Sequence, residues 1–149
     1  RAGKRLPSAE EWYQFAMGTP SDKCNIKSTE PALGSKYIEC ASAAGIKNGV
    51  GNVWEWVSDD VIDGVYQGRA LPATGYVIQA DNGGVATMTA LEKNTTPGME
   101  GYFWANATGT YAIIRGGYYG SREDSGVLTT HTYTAPTFAG AGIGFRCVR

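Results

Sequence analysis

The chain ends, over residues 115–149, with the stretch RGGYYGSREDSGVLTTHTYTAPTFAGAGIGFRCVR. Both ends of this stretch, and the residues just before it, carry short apolar runs that favour strands. The residues that we expect there in strands and core are Ile113, Ile114, Ile143, Phe145 and Val148. The middle, residues 118–142, has neither the helical spacing of apolar residues nor the alternation of a half-buried strand. We therefore predict an irregular loop between two strands, a common location for binding residues.

The composition describes a globular and weakly charged chain. Of its 149 residues, 42% are hydrophobic and 18% are charged, and 21 are glycines, which favour strands and turns over long helices. The net charge is −1 without a basic stripe, which argues against a nucleic-acid partner. No apolar run approaches the roughly 20 residues of a membrane span. With no repeat or domain boundary, we expect a single domain over residues 1–149.

Three cysteines, Cys24, Cys40 and Cys147, leave at least one thiol free within the chain. They form no CxxC or Cys/His cluster, so we expect no metal site from them. Two alternatives stand: buried or spare thiols, or a Cys24–Cys40 or Cys24–Cys147 disulfide in an oxidising compartment.

A helix is predicted to begin after Ser8. Ser8 and Glu11 have the spacing of a capping box, in which the side chain of each residue accepts a hydrogen bond from the backbone N–H of the other. Trp12 and Phe15 then lie on one apolar stripe, and Gly18 is a plausible stop. We expect Trp12 in the core rather than in contact with a cofactor.

The segment NGVGNVWEWV, residues 48–57, predicts a tight turn followed by a strand. Because successive strand residues face opposite sides, Trp54 and Trp56 share one face and Glu55 lies on the other, between valines. Oxygen atoms of the asparagine-rich turn are an alternative site for calcium.

Glu55 needs a partner if it is buried, since an unpaired buried carboxylate is costly. Arg115 and Arg146 both lie beside strand signals. We expect a structural ion pair with one of them, and the alternative is a catalytic general base.

Residues 58–111 are predicted to form loops and short hairpins, with a turn at residues 81–84. Within them, Tyr102, Phe103 and Trp104 form an aromatic cluster that we interpret as packing rather than as a ligand site.

Four motifs follow one another along the chain: RLPSAEEW at residues 5–12, GNVWEW at 51–56, RGG at 115–117 and GFR at 144–146. They resemble the motifs of formylglycine-generating enzymes, or sulfatase-modifying factors, a branch of the C-type lectin fold. The resemblance implies an α+β fold with a small antiparallel sheet core, one or two helices and much ordered irregular loop. It assigns structural roles to Trp54, Glu55, Trp56, Arg115, Gly116, Gly117, Gly144, Phe145 and Arg146. The family usually has a segment before RLPS, which we expect to be lacking here.

The resemblance also implies which residues catalysis would need. The oxidases of the family carry a copper-binding cysteine pair shortly after RGG, but residues 118–126 contain no cysteine, and Cys147 follows GFR, where the family has a structural cysteine. Iron-dependent relatives need a histidine cluster, and His131 is the chain's one histidine. Since such metals need thiolate or imidazole ligands, we predict a non-enzymatic protein without a cofactor.

The C-terminal stretch further resembles the variable region of proteins diversified by retroelements, many of which use this lectin branch. There, template AAC and AAT codons mutate at adenine and cannot encode Lys, Gln, Glu, Met or Trp. Residues 118–142 contain no Lys, Gln, Met or Trp, and one Glu. Residues 126–128, 135–136 and 143–146 match the fixed parts. The positions that correspond to variable codons are Tyr118, Tyr119, Gly120, Ser121, Arg122, Asp124, His131, Tyr133, Thr134, Phe138, Gly140 and Gly142.

This resemblance implies a ligand-binding protein, displayed on a cell or virus surface, whose partner is a protein or another cell-surface molecule. For the glycines, plain turn geometry is an equal alternative. A copper oxidase of the formylglycine-generating type and a calcium-dependent sugar-binding module are the rival functions. If residues 131–133 and 138–142 are extended, the variable side chains project together as one patch, and Ala139 and Ala141 turn toward the scaffold.

Overall fold

The computed structural model describes residues 3–149, which form one α-helix, α1 (Ala9–Ala16), and two short 3₁₀ turns among strands. The strands are β1 (Trp54–Ile62), β2 (Val65–Tyr66), β3 (Arg69–Ala70), β4 (Gly75–Ala80), β5 (Ala86–Ala90), β6 (Tyr102–Trp104), β7 (Thr110–Arg115), β8 (Thr130–Thr134) and β9 (Ile143–Phe145). The described chain is thus mostly β-structure, with more strand than the sequence predicts.

The nine strands form one sheet in the order β3-β2-β1-β7-β8-β6-β4-β5, and β9 pairs with β1. Most neighbours are antiparallel, but β1 pairs with β9 and β6 with β8 in parallel. The expected small antiparallel core is therefore mainly antiparallel but larger, and it includes two parallel pairs. Parallel pairs require long connections, and the loops that precede β8 and β9 supply them.

Three of the four motifs meet on adjacent strands. Glu55 of β1 lies opposite Arg115 of β7 on one side and opposite Gly144 of β9 on the other. The buried carboxylate of Glu55 accepts a hydrogen bond from Nε of Arg146 at 2.7 Å and one from Nε1 of Trp12 at 2.7 Å. The predicted structural ion pair is confirmed, with Arg146 as the partner.

Arg115 contacts an aromatic ring and a backbone carbonyl, whereas Arg146 pairs with a carboxylate. Its fully buried guanidinium lies 4.9 Å from the ring of Trp12 and donates a hydrogen bond of 3.0 Å to the carbonyl oxygen of Val127. Burial lowers the pKa of Arg115 to about 10. Arg115 therefore connects strand β7 to the segment that precedes strand β8.

The helix begins as predicted. The Ser8 hydroxyl accepts a hydrogen bond from the backbone N–H of Glu11, whose carboxylate accepts one from the N–H of Ser8, so the capping box is complete. Trp12 is fully buried in the hydrophobic core, as predicted.

Several sequence expectations need correction. Phe145, predicted as core, is 68% exposed, because it lies on the outer side of the edge strand β9. Residues 118–142 are not one loop, since β8 runs through them between β7 and β6. Residues 58–111 hold five whole strands, β2 to β6, and parts of β1 and β7, so they contain more strand than the expected loops and short hairpins. The predicted turn is present: the N–H of Gly84 donates to the carbonyl of Asp81 between β4 and β5.

The structure has the second alternative for the cysteines, a disulfide. Cys24 and Cys40 form a disulfide, and Cys147 is free and exposed. The interpretation of all three as buried or spare thiols is wrong.

Candidate binding site

The RGG motif directs the chain from β7 into the site. Gly116 and Gly117 have φ values of 87° and 82°, a backbone region that residues with a side chain rarely adopt. A Cβ atom on Gly116 would lie 2.6 Å from the carbonyl oxygen of Gly49. Glycine is therefore required at the entrance to the site.

The next residues are held to the scaffold by their backbone. The N–H of Tyr119 donates to the carbonyl of Asn52 at 3.0 Å, and its carbonyl accepts from the N–H of Ser28 at 2.8 Å. The N–H of Arg122 donates to the carbonyl of Ile26 at 2.7 Å. These bonds fix the backbone at Tyr119 and Arg122 without using their side chains, although the hydroxyl of Ser121 also accepts a hydrogen bond of 3.0 Å from the N–H of Tyr118.

Strand β8 gives the site its centre. Thr132 is fully buried, whereas His131 and Tyr133 project from the other face with ring centroids 4.1 Å apart, so these two rings project together as predicted. Nδ1 of His131 lies 2.8 Å from the hydroxyl of Thr134, which is buried.

Residues 135–142 form turns rather than extended backbone. The N–H of Phe138 donates to the carbonyl of Ala135, and Phe138 is 54% exposed. The alternation predicted here is wrong: Ala139 and Ala141 are both exposed, and Ala141 lines the site instead of facing the scaffold.

Two adjoining hollows open on this surface. The first hollow, of about 520 Å³, and the second hollow, of about 460 Å³, share Trp54, Tyr118 and His131 in their walls. All twelve predicted variable positions line one or both of them. The first hollow contains Tyr118, Tyr119, His131, Tyr133, Thr134, Phe138, Gly140 and Gly142. The second contains Tyr118, Gly120, Ser121, Arg122, Asp124 and His131.

The glycines among these positions differ from those of the RGG motif. Gly120, Gly140 and Gly142 lack the positive φ of Gly116 and Gly117. A Cβ on Gly120 or Gly140 would approach only the rings of Tyr118 and Phe138, which can move. Turn geometry therefore does not demand glycine at the three predicted variable positions.

Sequence reasoning missed part of the walls. The sequence predicts a structural role for Trp54 and packing for Trp104, but both line the second hollow with Tyr76. The signal for Trp54 was in the sequence: when Glu55 faces the core, the neighbouring residue must face the other side of the strand. No comparable local pattern points to Tyr76 and Trp104, which reach the site through the pairing of β4, β6 and β8.

The missed residues belong to an aromatic network beneath the variable positions. Trp54 and Trp104 meet edge to face with ring centroids 5.6 Å apart. His131 lies 5.9 Å from Trp54 and 5.8 Å from Trp104. Trp104 in turn contacts Tyr102 at 4.6 Å, and Tyr102 contacts Tyr76 at 4.9 Å. Such ring pairs add stability beyond the area that they bury, so the floor is preorganised.

The titratable groups of the site are shifted by burial. Burial lowers the pKa of His131 to about 4, so its imidazole is neutral at pH 7. Burial is also the main cause that raises the pKa of Asp124, whose Oδ1 accepts a hydrogen bond of 3.3 Å from the hydroxyl of Tyr76.

A larger hollow, of about 750 Å³, lies elsewhere, beside the disulfide at Cys24. Its wall has mixed charge, including Lys27, Asp22 and Glu123, and contains none of the twelve positions. The predicted variable positions therefore line the two smaller hollows and not this one.

In the asparagine-rich turn, the side-chain oxygen of Asn52 is not free to bind a metal ion. Its Oδ1 accepts hydrogen bonds from the amide of Asn25 at 3.1 Å and from the N–H of Ala32 at 2.7 Å. In the described part of the chain, no three His, Cys, Asp or Glu residues group as metal ligands do. Over residues 3–149 there is also no helix with the length and apolarity to cross a membrane.

The sequence profile of the sulfatase-modifying factor enzyme 1-like domain matches residues 20–149. The chain belongs to this family. The match covers three of the four motifs, GNVWEW, RGG and GFR, and begins after the helix that RLPS opens. No functionally curated sequence matches the chain.

Solved structures of the Major Tropism Determinant share the fold. The P3c and U1 variants each superpose with a TM-score of 0.58 and the I1 variant with 0.56, all at 20% sequence identity. Each alignment covers 95% of this chain but 32% of the solved one, so the chain spans about a third of their length. The resemblance that the motifs indicated is confirmed at the level of family and fold.

Proposed function

We propose that this protein is a non-catalytic binding protein. Its C-terminal surface, formed by residues 118–142 and lined by the twelve variable positions, recognises a protein or another molecule on a cell surface. A retroelement diversifies these positions while the rest of the fold stays constant. The protein is displayed on the surface of a virus or a cell.

One observation carries this proposal: all twelve positions inferred from the resemblance line two adjoining hollows, and of the other residues in 118–142 these hollows contain Glu123, Ala135 and Ala141 alone. Thr130 and Thr132, which alternate with variable positions, are fully buried, and so is Leu128 in one of the expected fixed parts. A set of positions with no common structural role would be scattered between core and surface. Grouping around one opening is what a binding surface needs.

The structural neighbours agree with this proposal. Their name describes a determinant of tropism, and three variants of it share the fold. We carry recognition of a cell surface over to this chain as part of the proposal, together with variation of the recognising residues.

The family name suggests an enzyme, but the residues do not supply one. Tyr118, Tyr119, Gly120 and Ser121 follow RGG, where the oxidases have their cysteine pair. Cys24 and Cys40 are joined to each other away from the site, and Cys147 lies after GFR. Copper therefore lacks the dithiolate that its chemistry in this family needs.

Calcium-dependent sugar binding is the less favoured alternative. Its sequence support was the asparagine-rich turn, but Asn52 uses its side-chain oxygen for two hydrogen bonds within the protein. A calcium ion needs six to eight oxygen ligands, and this oxygen is already committed.

The deciding experiment is to sequence the DNA around the coding region. We expect a near-copy of the segment that encodes residues 115–149, beside a reverse transcriptase gene, with mismatches mainly at adenines of the twelve codons. The codons of Phe145 and Leu128, in the expected fixed parts, serve as internal controls and should be identical in both copies. Mismatches spread evenly over variable and control codons, or the lack of any copy, would contradict the proposal.

A further inference from the structure

The second hollow has walls of a particular chemistry. The rings of Trp54, Trp104, Tyr76 and Tyr118 all line it. The two tryptophans meet at 80°, so they form a corner rather than a flat surface. The faces of aromatic rings carry partial negative charge and attract cations, most strongly when the rings surround the cation.

A carboxylate completes these walls. Asp124 lines the same hollow, and its Oδ1 accepts one hydrogen bond from Tyr76. Among residues 3–149 its side chain has no ion pair, whereas the neighbouring Glu123 is paired with Lys27 at 2.7 Å. Asp124 is thus a half-buried carboxylate without an ion pair of its own, and the charge of Lys93 acts on it from beyond ion-pair distance.

The other titratable groups around the hollow allow a cation to enter. His131 is neutral at pH 7, because burial lowers its pKa to about 4. Arg122 is exposed at the rim, and in the described chain its guanidinium neither pairs with a carboxylate nor lies over a ring. Arg122 therefore does not fill the hollow itself, and it repels an incoming cation only through solvent, where screening is strong.

We propose that the second hollow binds the ammonium group of a lysine side chain on the partner protein. The ammonium enters the corner of Trp54 and Trp104 and forms an ion pair with Asp124. This assignment rests on the proposed function, since it names the chemistry that one half of the binding surface recognises.

Lysine suits this site better than the alternatives. A flat guanidinium stacks best on one open ring face, but perpendicular rings surround a compact ammonium on several sides. An apolar side chain would leave Asp124 without a partner in a half-buried site, which is unfavourable. The first hollow, which lacks a carboxylate in its wall, is the one suited to an apolar group.

The assignment can be tested with N-acetyl-lysine N-methylamide as the probe and the norleucine compound, which lacks the charge, as its near-isostere. We would titrate each into ¹⁵N-labelled protein and follow the indole N–H signals of Trp54 and Trp104. The lysine probe should bind about tenfold more tightly than the norleucine probe, and the arginine compound more weakly than lysine.

Three variants sharpen the result. Asp124→Asn keeps the size of the side chain and should weaken lysine binding about tenfold without changing norleucine binding. Arg122→Gln should strengthen lysine binding, by about twofold, because it removes a screened repulsion. Glu39→Gln removes an exposed carboxylate outside the hollow and should change nothing.

Equal binding of lysine and norleucine would overturn the assignment, and so would lysine binding that Asp124→Asn leaves unchanged. Tighter binding of the arginine compound would overturn the choice of ammonium. If Asp124→Asn does not fold, as thermal melting would reveal, the lysine-to-norleucine ratio of the unchanged protein decides. Failure here leaves the proposed function standing, because that is tested by the DNA copy.

Discussion

Two regions of this protein differ in how much their structure depends on the identity of their side chains. In the structural frame, which we define as Glu55, Arg115, Gly116, Gly117 and Arg146, each side chain or glycine has a partner or a constraint that fixes its identity. In residues 118–142, the chain is fixed mainly through backbone hydrogen bonds, and the side chains line open hollows.

This difference explains how one backbone fold can carry many different sets of surface side chains. A backbone hydrogen bond such as that from Tyr119 to Asn52 is the same for any residue except proline. A side-chain pair such as Glu55 with Arg146 is lost with either partner. Variation is therefore tolerated where backbone groups hold the chain, and excluded where side chains do.

The largest effect should come from the ion pair at the centre of the frame. Glu55 is 5% exposed, so Glu55→Ala leaves the charge of Arg146 and the indole N–H of Trp12 without their partner. We expect the free energy of unfolding to fall by about 3–5 kcal/mol, as when one member of a buried pair is removed. Urea unfolding followed by tryptophan fluorescence would measure this.

The matched control is an exposed pair. Glu123 lies 2.7 Å from Lys27 with both side chains largely in solvent. Glu123→Ala should destabilise far less than Glu55→Ala, since solvent screens exposed pairs. Similar losses for both variants would mean that Glu55 is not part of a distinct frame.

A smaller effect should separate the two classes of glycine. Gly116→Ala places a Cβ at positive φ, 2.6 Å from the carbonyl oxygen of Gly49, and we expect it to lower the free energy of unfolding by about 3 kcal/mol. Gly140→Ala, at a variable position without positive φ, should change it by less than about 0.5 kcal/mol. Thermal melts of both variants, compared in one buffer, would reveal whether the classes differ.

The pH dependence should report how deeply the variable surface is packed at His131. Its pKa is about 4 in the folded protein, below the ordinary value of 6.5. Between these values the unfolded chain binds more protons than the folded one, so the free energy of unfolding falls as the pH falls. The slope contributed by His131 approaches about 1.4 kcal/mol per pH unit within this window and vanishes above it.

His131→Gln removes this titration and serves as the control. Denaturant melts from pH 7 to pH 4 would give the slope for both proteins, and carboxylates contribute equally to both. The same slope in both would mean that His131 titrates normally and is solvated, contrary to its place between Trp54 and Trp104.

The sequence predicted the frame well because frame residues have few alternatives. The capping box at Ser8 and the partner of Glu55 followed from local spacing, and Gly116 was assigned its structural role through the RGG motif of the family. Phe145 was misjudged because apolar character does not tell which side of an edge strand meets solvent. Trp54 lies in the site because Glu55 takes the other face.

The hollows could be predicted only in part. The variable positions followed from the resemblance to retroelement-diversified variable regions, but the floor depends on pairings between distant strands. Trp104 lies beside His131 because β6 pairs with β8 in parallel, across a long stretch of chain. Likewise, the extended backbone expected at residues 138–142 is replaced by turns, whose side chains do not alternate.

Substitution of the exposed aromatic residues should have the smallest effect on stability and the largest effect on ligand binding. Tyr133 is 38% exposed and contacts His131 within the site, and Phe138 is 54% exposed. Replacing either with Ala should change the free energy of unfolding by about 0.5 kcal/mol or less, as at surface positions away from special features.

Binding should respond differently, because exposed aromatic side chains frequently supply most of the energy of an interface. Once the DNA copy has identified natural variants and a target cell is known, Tyr133→Ala and Phe138→Ala should each weaken attachment to that cell at least about tenfold. Tyr37, half-buried and outside both hollows, provides the matched control, and Tyr37→Ala should leave attachment unchanged. If Tyr133→Ala instead destabilises the fold as strongly as Gly116→Ala, the tyrosine belongs to the frame, and the division between a constant scaffold and a variable surface fails at its centre.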